Sequence, residues 1–416
     1  MAKIEVIDVG KLGIDFGAYY RTRYQSAFQY AASFPPGVPA TYINMFTKPG
    51  DMVIEPFAGK GTTALQALIM GRKTIANDLS KVAVTYTHSR VRTPPRSDIY
   101  AGIHELKSQL PSVKVNIHDV EELLWMYHPD TLLRILQSRE ILMDKSDDIS
   151  MFLKAFIMST LYGSGDRVLC GDLPGSFPLN LGSLAKVGAE RKTKPPFKDF
   201  FAVLQSKIEY SMQTGVPTMK GDVLNMDSTK LDKVIEPNSA NVCITSPPYI
   251  NLMAYGEKSW IQQWFAGENY KEYDQLTKEL GSCSGNLDSY FLSMSGVLRA
   301  MYNVLKDNSA CVFVVGGSRS KKETDGELFI PMKFAEVGSK VGFTPRFVFT
   351  REFHSAFRSM FDEETRDSAG TDYRDCAVVF FKGEPKIHIP IAEAWFEISK
   401  EVSIEDSMAG LTADDI

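Results

Sequence analysis

A chain of 416 residues exceeds one ordinary domain, so a large unit carrying an inserted or appended module is expected. Hydrophobic residues at 44% and charged residues at 23% give a folded protein with a sizeable core and exclude wholesale disorder. The formal charge of −5 excludes a uniformly basic nucleic-acid coat but leaves room for a local basic cleft.

The amino-terminal MAKIEVIDVGKLGIDFG mixes charges into its apolar residues, and no stretch approaches the roughly 20 apolar residues of a membrane span. Cys170, Cys243, Cys283, Cys311 and Cys376 are scattered, with no CxxC pair and no close His partner. No metal site is expected, and a reducing cytoplasm fits best. From Asp51 to Asn77 the chain reads as strand, glycine turn, helix and strand, a βαβ unit: MVIE is apolar, FAGKG breaks it, TTALQALIM has helical periodicity and KTIAN is strand-like.

Residues 91–215 differ in texture, with helix-like runs such as TLLRILQSREIL and ISMFLKAFIMSTLYG and almost no strand alternation. They read as a mostly helical insertion. Its later part holds Lys186, Arg191, Lys192, Lys194 and Lys198 against the single Glu190. This basic run is a candidate for phosphate contacts, the alternative being a solvated loop.

Strand character returns at Asn241 to Thr245 and stops at Ser246-Pro247-Pro248-Tyr249, where two prolines cannot continue a central ladder. SYFLSMSGVLRAMYNVL then predicts a helix, ACVFVV a buried strand, PMKFAEVGSKVG a helix and CAVVFF a late strand. This alternation predicts an α/β unit, a mainly parallel sheet covered by helices, built from residues 1–90 and 216–385. The acidic tail, 386–416, is expected to be peripheral.

The turn Glu55-Pro56-Phe57-Ala58-Gly59-Lys60-Gly61-Thr62-Thr63 opens a helix, so its glycines would let a small molecule approach the backbone. Asp78, ending the next strand, can accept hydrogen bonds from both ribose hydroxyls of an adenosyl group, or cap the helix beginning near Ser80. The turn has neither the GxGxxG of dinucleotide binders nor the GxxxxGK[ST] of phosphate-loop proteins.

EPFAGKGTT resembles the cofactor motif of the DNA amino-methyltransferases, with Glu55 where Asp is usual, and Ser246 to Tyr249 resembles their [DNS]PP[YFW] catalytic motif. The resemblance covers roughly residues 24 to 90 and 218 to 383. It implies a Rossmann-like class I methyltransferase sheet binding S-adenosyl-L-methionine through Phe34, Glu55, Phe57, Gly59, Gly61, Thr62, Asp78 and Asp222. Asp222 stands where related enzymes place an acid near the cofactor's adenine. Phe34 belongs to Tyr30-Ala31-Ala32-Ser33-Phe34, similar to the segment closing over the methionine end, although Ser33 replaces a frequent lysine.

The catalytic chemistry follows from the motif. An exocyclic amine is a poor nucleophile because its lone pair is delocalised into the ring; acceptors at the Ser246 hydroxyl and the Pro247 carbonyl could localise it, Pro248 stiffens the turn, and Tyr249 would stack on a flipped base. Cytosine C5 chemistry needs a cysteine, presented by that family after a proline, and no Pro-Cys pair occurs. Cofactor motif first and catalytic motif second match the alpha-ordered enzymes, which places target recognition in residues 91–215. The leading serine favours cytosine N4 over adenine N6. Double-stranded DNA is the expected partner, in restriction-modification or phage defence with possible companion proteins. The competing readings are an RNA or protein-amide methyltransferase and a non-catalytic nucleic-acid-binding module.

Overall fold

The computed structural model describes residues 3–8, 22–31, 33–173, 177–190, 194–249, 255–281, 286–316, 329–352, 374–384 and 400–403. Its strands are β1 (Lys3–Asp8), β2 (Met52–Glu55), β3 (Lys73–Asn77), β4 (Asp222–Leu224), β5 (Ala240–Thr245), β6 (Leu305–Gly316), β7 (Thr344–Glu352), β8 (Arg374–Lys382) and β9 (Lys400–Ser403). They form one sheet in the order β4-β3-β2-β5-β6-β8-β7-β1-β9.

Strands β2 to β6 run parallel, whereas β8 is antiparallel to both β6 and β7. The central strands are buried on both faces, as Val53, Ile54, Val242, Ile244 and Cys311 to Val315 show. Sequence order reverses at β2, which pairs with β3 on one side and β5 on the other. Open α/β sheets hold ligands beyond the carboxyl ends of the strands at such a point. The sheet is Rossmann-like, as the sequence led us to expect.

The helices are α1 (Gly37–Phe46), α2 (Thr62–Ile69), α3 (Lys81–Val91), α4 (Arg96–Gln109), α5 (Pro129–Leu142), α6 (Asp148–Met158), α7 (Leu181–Glu190), α8 (Phe200–Met212), α9 (Trp260–Phe265), α10 (Tyr270–Glu279), α11 (Leu287–Val304) and α12 (Phe329–Val341). One sheet face packs on α11 and α12 through Met294, Leu298, Met301 and Phe334. The other packs on α1 through Val38, Tyr42, Ile43 and Phe46.

Helices α4 to α8 lie within residues 91–215, where the described residues contain no strand. This insertion does not close on itself. Its Phe152, Phe156, Leu161 and Phe200 share one core with Tyr24, Phe28, Leu65, Val82 and Tyr86, and with Trp260, Ile261 and Phe265 of α9. Asp148 ties it to the sheet unit through Lys220 at 2.8 Å, and also holds Arg92, just past the end of α3, at 2.8 Å. The acidic tail departs from expectation in one place: β9 pairs antiparallel with β1, so residues 400–403 complete a sheet edge. Among the described residues no helix is long and apolar enough to cross a membrane.

Candidate active site

Strand β2 delivers Glu55 to the switch point, and Pro56 to Gly61 turn the chain into α2. Gly61 has φ +76°, and a Cβ there would stand 3.0 Å from the Thr87 Cα, so glycine lets α2 approach α3. Gly59, φ +53°, carries the Tyr30 ring 3.4 Å from where a Cβ would be. Glu55 is 1% exposed and its Oε2 accepts the Ala64 N–H at 3.1 Å, satisfying a free donor of the first turn of α2. Burial, opposed by hydrogen bonds from Thr63 and Ala64, pushes its carboxyl up to about 8.

Asp78 follows β3. Its Oδ2 accepts the Gly59 N–H at 2.8 Å and its Oδ1 the Ser80 N–H at 3.0 Å, joining the glycine turn to the start of α3. Burial raises its carboxyl to about 6 against those backbone bonds. The N-cap of α3 is Ser80, not Asp78. Beside them, Asn77 Nδ2 lies 3.2 Å from the Pro56 carbonyl, 3.0 Å from that of Met226 and 3.1 Å from Ser228 Oγ. One buried amide thus laces together the loops after β2, β3 and β4.

Strand β5 brings the proline motif to the same place, where Thr245 Oγ1 accepts the Phe57 N–H at 3.3 Å. Ser246, Pro247 and Pro248 line one cavity with Phe34, Glu55, Phe57, Gly59, Thr62 and Asp78. Tyr290 of α11 donates its hydroxyl to the Pro248 carbonyl at 3.0 Å, which fixes the far end of the motif. Tyr249 is not part of the lining; its ring lies where a Cβ on Gly316, the last residue of β6, would meet it at 3.3 Å.

Two expected cofactor residues lie apart from the cavity lining. Gly61 serves helix packing, and Asp222 sits at the amino end of β4, its side chain 72% exposed and 3.7 Å from Arg92 Nη1. The parallel register Ile75↔Asp222 and Asn77↔Leu224 sends the carboxyl end of β4 to Asp227, which does line the cavity with Ser228 and Thr229. The sequence reading also missed Tyr273, Thr277 and Leu280 at α10 and Met294 and Val297 of α11. Tyr30, partly buried beside Asp78, has its phenol held well above its ordinary value, by desolvation first and by the Asp78 charge second. Glu268 reaches the start of α3, within 3.4 Å of Ser80 Oγ and 3.3 Å of the Lys81 N–H, and burial raises it to about 7.

Of the basic run, Lys186 and Lys194 are exposed, Lys198 Nζ donates to the Gly165 carbonyl at 3.5 Å, and Arg191 and Lys192 lie outside the described residues. Cys170, Cys243, Cys311 and Cys376 are buried and none of them lines the cavity, and Cys283 lies outside the described residues.

Residues 15–89 match the N6_N4_Mtase family model, described as DNA methylase. Over 66 residues the chain is 36% identical to the orphan methyltransferase M.BamHII of Bacillus amyloliquefaciens. That stretch is 16% of this chain and 25% of the relative, so the chain spans about a quarter of the length of the curated relative it matches. Among solved structures, TrmN from Thermus thermophilus is 11% identical with a TM-score of 0.28, covering 84% of this chain and 49% of that one. A SAM-dependent methyltransferase from Methanosarcina mazei is 7% identical with a TM-score of 0.33, covering 82% and 95%. The family match spans Phe34, the glycine turn and Asp78, so the likeness to the N6/N4 DNA methylases lies in the segment that builds one wall of the cavity.

Proposed function

We propose that this protein is an S-adenosylmethionine-dependent DNA methyltransferase acting on an exocyclic base amine, cytosine N4 in preference to adenine N6. The observation that carries the reading is the convergence of Ser246, Pro247 and Pro248 with Glu55, Phe57, Gly59 and Asp78 on one cavity at the switch point.

The residues present fit the cofactor. Thr62 Oγ1 is buried without a hydrogen-bond partner among the described residues and belongs to the cavity lining. Asp78 Oδ1 and Oδ2 each keep acceptor capacity beyond the backbone N–H they already bind, suited to a pair of ribose hydroxyls. Phe57 and Phe34 would supply apolar contacts, and Asp227 is the acid that the register of β4 delivers. When bound, S-adenosylmethionine supplies an electrophilic methyl group.

The chain's own part is to orient and localise. The Ser246 hydroxyl and Pro247 carbonyl carry no hydrogen bond among the described residues and can accept the two amine N–H groups, which localises the lone pair for in-line attack. The prolines and the Tyr290 bond hold these acceptors without rotamer search. No cysteine need take part. The leading serine supports cytosine N4, and the order of the two motifs supports target recognition by the insertion, where the basic run would contact phosphate. A role in restriction-modification or phage defence with companion proteins extends the same reading.

Incubating the protein with unmethylated plasmid and isotopically labelled S-adenosylmethionine, followed by nucleoside mass spectrometry, tests this. Label on N4-methylcytosine is expected; label on N6-methyladenine would overturn the base assignment. Label on 5-methylcytosine, or transfer to RNA or protein alone, would overturn the mechanism or the substrate class.

A further inference from the structure

Some cations of the molecule are matched by carboxylates: Arg92 and Lys220 share Asp148, and Lys333 and Lys340 share Glu336. A cluster at α8 is not. Arg23 and Arg167 place their guanidinium carbons 4.5 Å and 4.0 Å from the centroid of the same Tyr210 ring, on α8. Lys207 lies three residues earlier on that helix, and its ammonium is lowered from 10.5 to about 8, by burial first and by Arg167 second. Among the described residues none of the three cations makes an ion pair.

The arrangement is built rather than accidental in its backbone. The Arg23 N–H donates to Thr214 Oγ1 at 3.1 Å, which fixes Arg23 beside the end of α8. Tyr210 stays 39% exposed and Arg23 and Arg167 are exposed, so the ring and its two guanidinium groups remain open to a ligand. Two guanidinium groups on one ring repel, and Arg167 adds to the burial that lowers Lys207; an anion beside them would offset that repulsion. Guanidinium forks and an ammonium suit phosphate oxygens, and a phenol ring beside them keeps the forks oriented.

The cluster connects with features already described. Lys198 of the basic run donates to the Gly165 carbonyl, two residues before Arg167, so the run and the cluster adjoin. Arg23 stands near the start of the 22–31 segment whose far end, Tyr30 and Ala31, lines the active-site cavity. Tyr162, at the head of the Arg167 loop, lines a small cleft together with Tyr30 and Tyr255.

We propose that Arg23 and Arg167, stacked on Tyr210, with Lys207 three residues earlier on α8, form a phosphate-contacting surface for the backbone of the nucleic-acid substrate. The inference rests on the DNA reading above and adds to it a surface outside the basic run. The test is fluorescence anisotropy of the full chain with a labelled duplex of roughly 30 base pairs, from about 50 to 200 mM salt. The variant Arg23→Gln/Arg167→Gln changes only exposed side chains, and Lys340→Gln on α12 controls for general charge loss.

Each phosphate contact removed lowers the salt slope by about 0.9, so the double variant is expected to lose about 2 from the slope and at least about tenfold in affinity at the lowest salt. Cofactor affinity by calorimetry should be unchanged, and Lys340→Gln should match wild type. A steep wild-type slope left intact by the double variant, or lowered equally by Lys340→Gln, overturns this surface and leaves the DNA reading standing. Failure of the wild type to bind duplex at any salt removes the DNA reading, and this surface with it.

Discussion

Glu55→Gln isolates what the buried acid of the glycine turn does for the fold. In the native chain Glu55 accepts the Ala64 N–H while almost fully enclosed, and its carboxyl lies near 8 rather than its ordinary 4.5. A carboxyl raised in the folded state gives stability that is fully present below the unfolded value and is lost as pH rises through the folded one. The interval from 4.5 to 8 corresponds to about 5 kcal/mol, of which about 3–4 kcal/mol falls between pH 5 and pH 8. Glutamine keeps an acceptor for Ala64 and has no proton to lose. Urea midpoints of both proteins, without cofactor, should therefore diverge from pH 5 to pH 8, with the variant gaining about 3–4 kcal/mol on the wild type. Asp78 and Glu268 are raised as well and leave the variant a shallower slope of the same sign. Parallel pH profiles for the two proteins would refute the claim that Glu55 is buried in its neutral form.

Asp78→Ala should weaken S-adenosylmethionine binding by about 10- to 100-fold in calorimetry, the scale of lost hydrogen bonds to a charged acceptor. Because Asp78 ionises near 6, wild-type affinity should tighten as pH rises through that value, and Asp78→Asn should flatten the dependence. Asp222→Ala, at an exposed residue on the far end of β4, should leave cofactor affinity unchanged, and a large loss would show that the cavity extends beyond its present lining. Ser246→Ala should slow methyl transfer by about 100-fold or more with cofactor affinity near normal, whereas Tyr249→Ala should lose base stacking worth roughly 1–3 kcal/mol and Tyr249→Phe should be mild. Gly61→Ala, with φ +76° and the Thr87 backbone 3.0 Å from the new Cβ, should cost about 2 kcal/mol in denaturant unfolding; an unchanged midpoint would contradict the packing account.

The central fold was legible because its signals are local. Apolar runs such as MVIE, NVCIT and ACVFVV are buried on both faces of a parallel sheet and carry no face alternation to misread. The edge was not legible. In β1, KIEVID alternates charges with Ile4 and Ile7, and β9 is the four-residue KEVS; neither reads as a strand until β7 and β1 supply partners. The shared core of the insertion was equally hidden, since Phe28 meeting Tyr86 at 4.6 Å and Phe156 at 5.2 Å is a contact across long separations in sequence.

At the site the same division holds between backbone signals and arriving side chains. Glycine and proline announce their positions, because a left-handed turn or a stopped ladder needs them wherever the chain goes next. Tyr30, Tyr290 and Asp227 announce nothing, since an ordinary tyrosine or aspartate becomes a wall or an anchor only after the sheet assembles. Asp222 shows how closeness in sequence and place in the fold can part. An acid at the head of a strand matches the family pattern by proximity in sequence, but β4 is only three residues long and parallel to β3. Its register puts Asp222 level with Ile75 and sends the chain past Leu224, level with Asn77, to Asp227. Asn77 Oδ1 accepts the Met226 N–H at 3.1 Å and holds that exit in place, so the acid delivered to the cavity is set by strand length rather than by closeness to the motif.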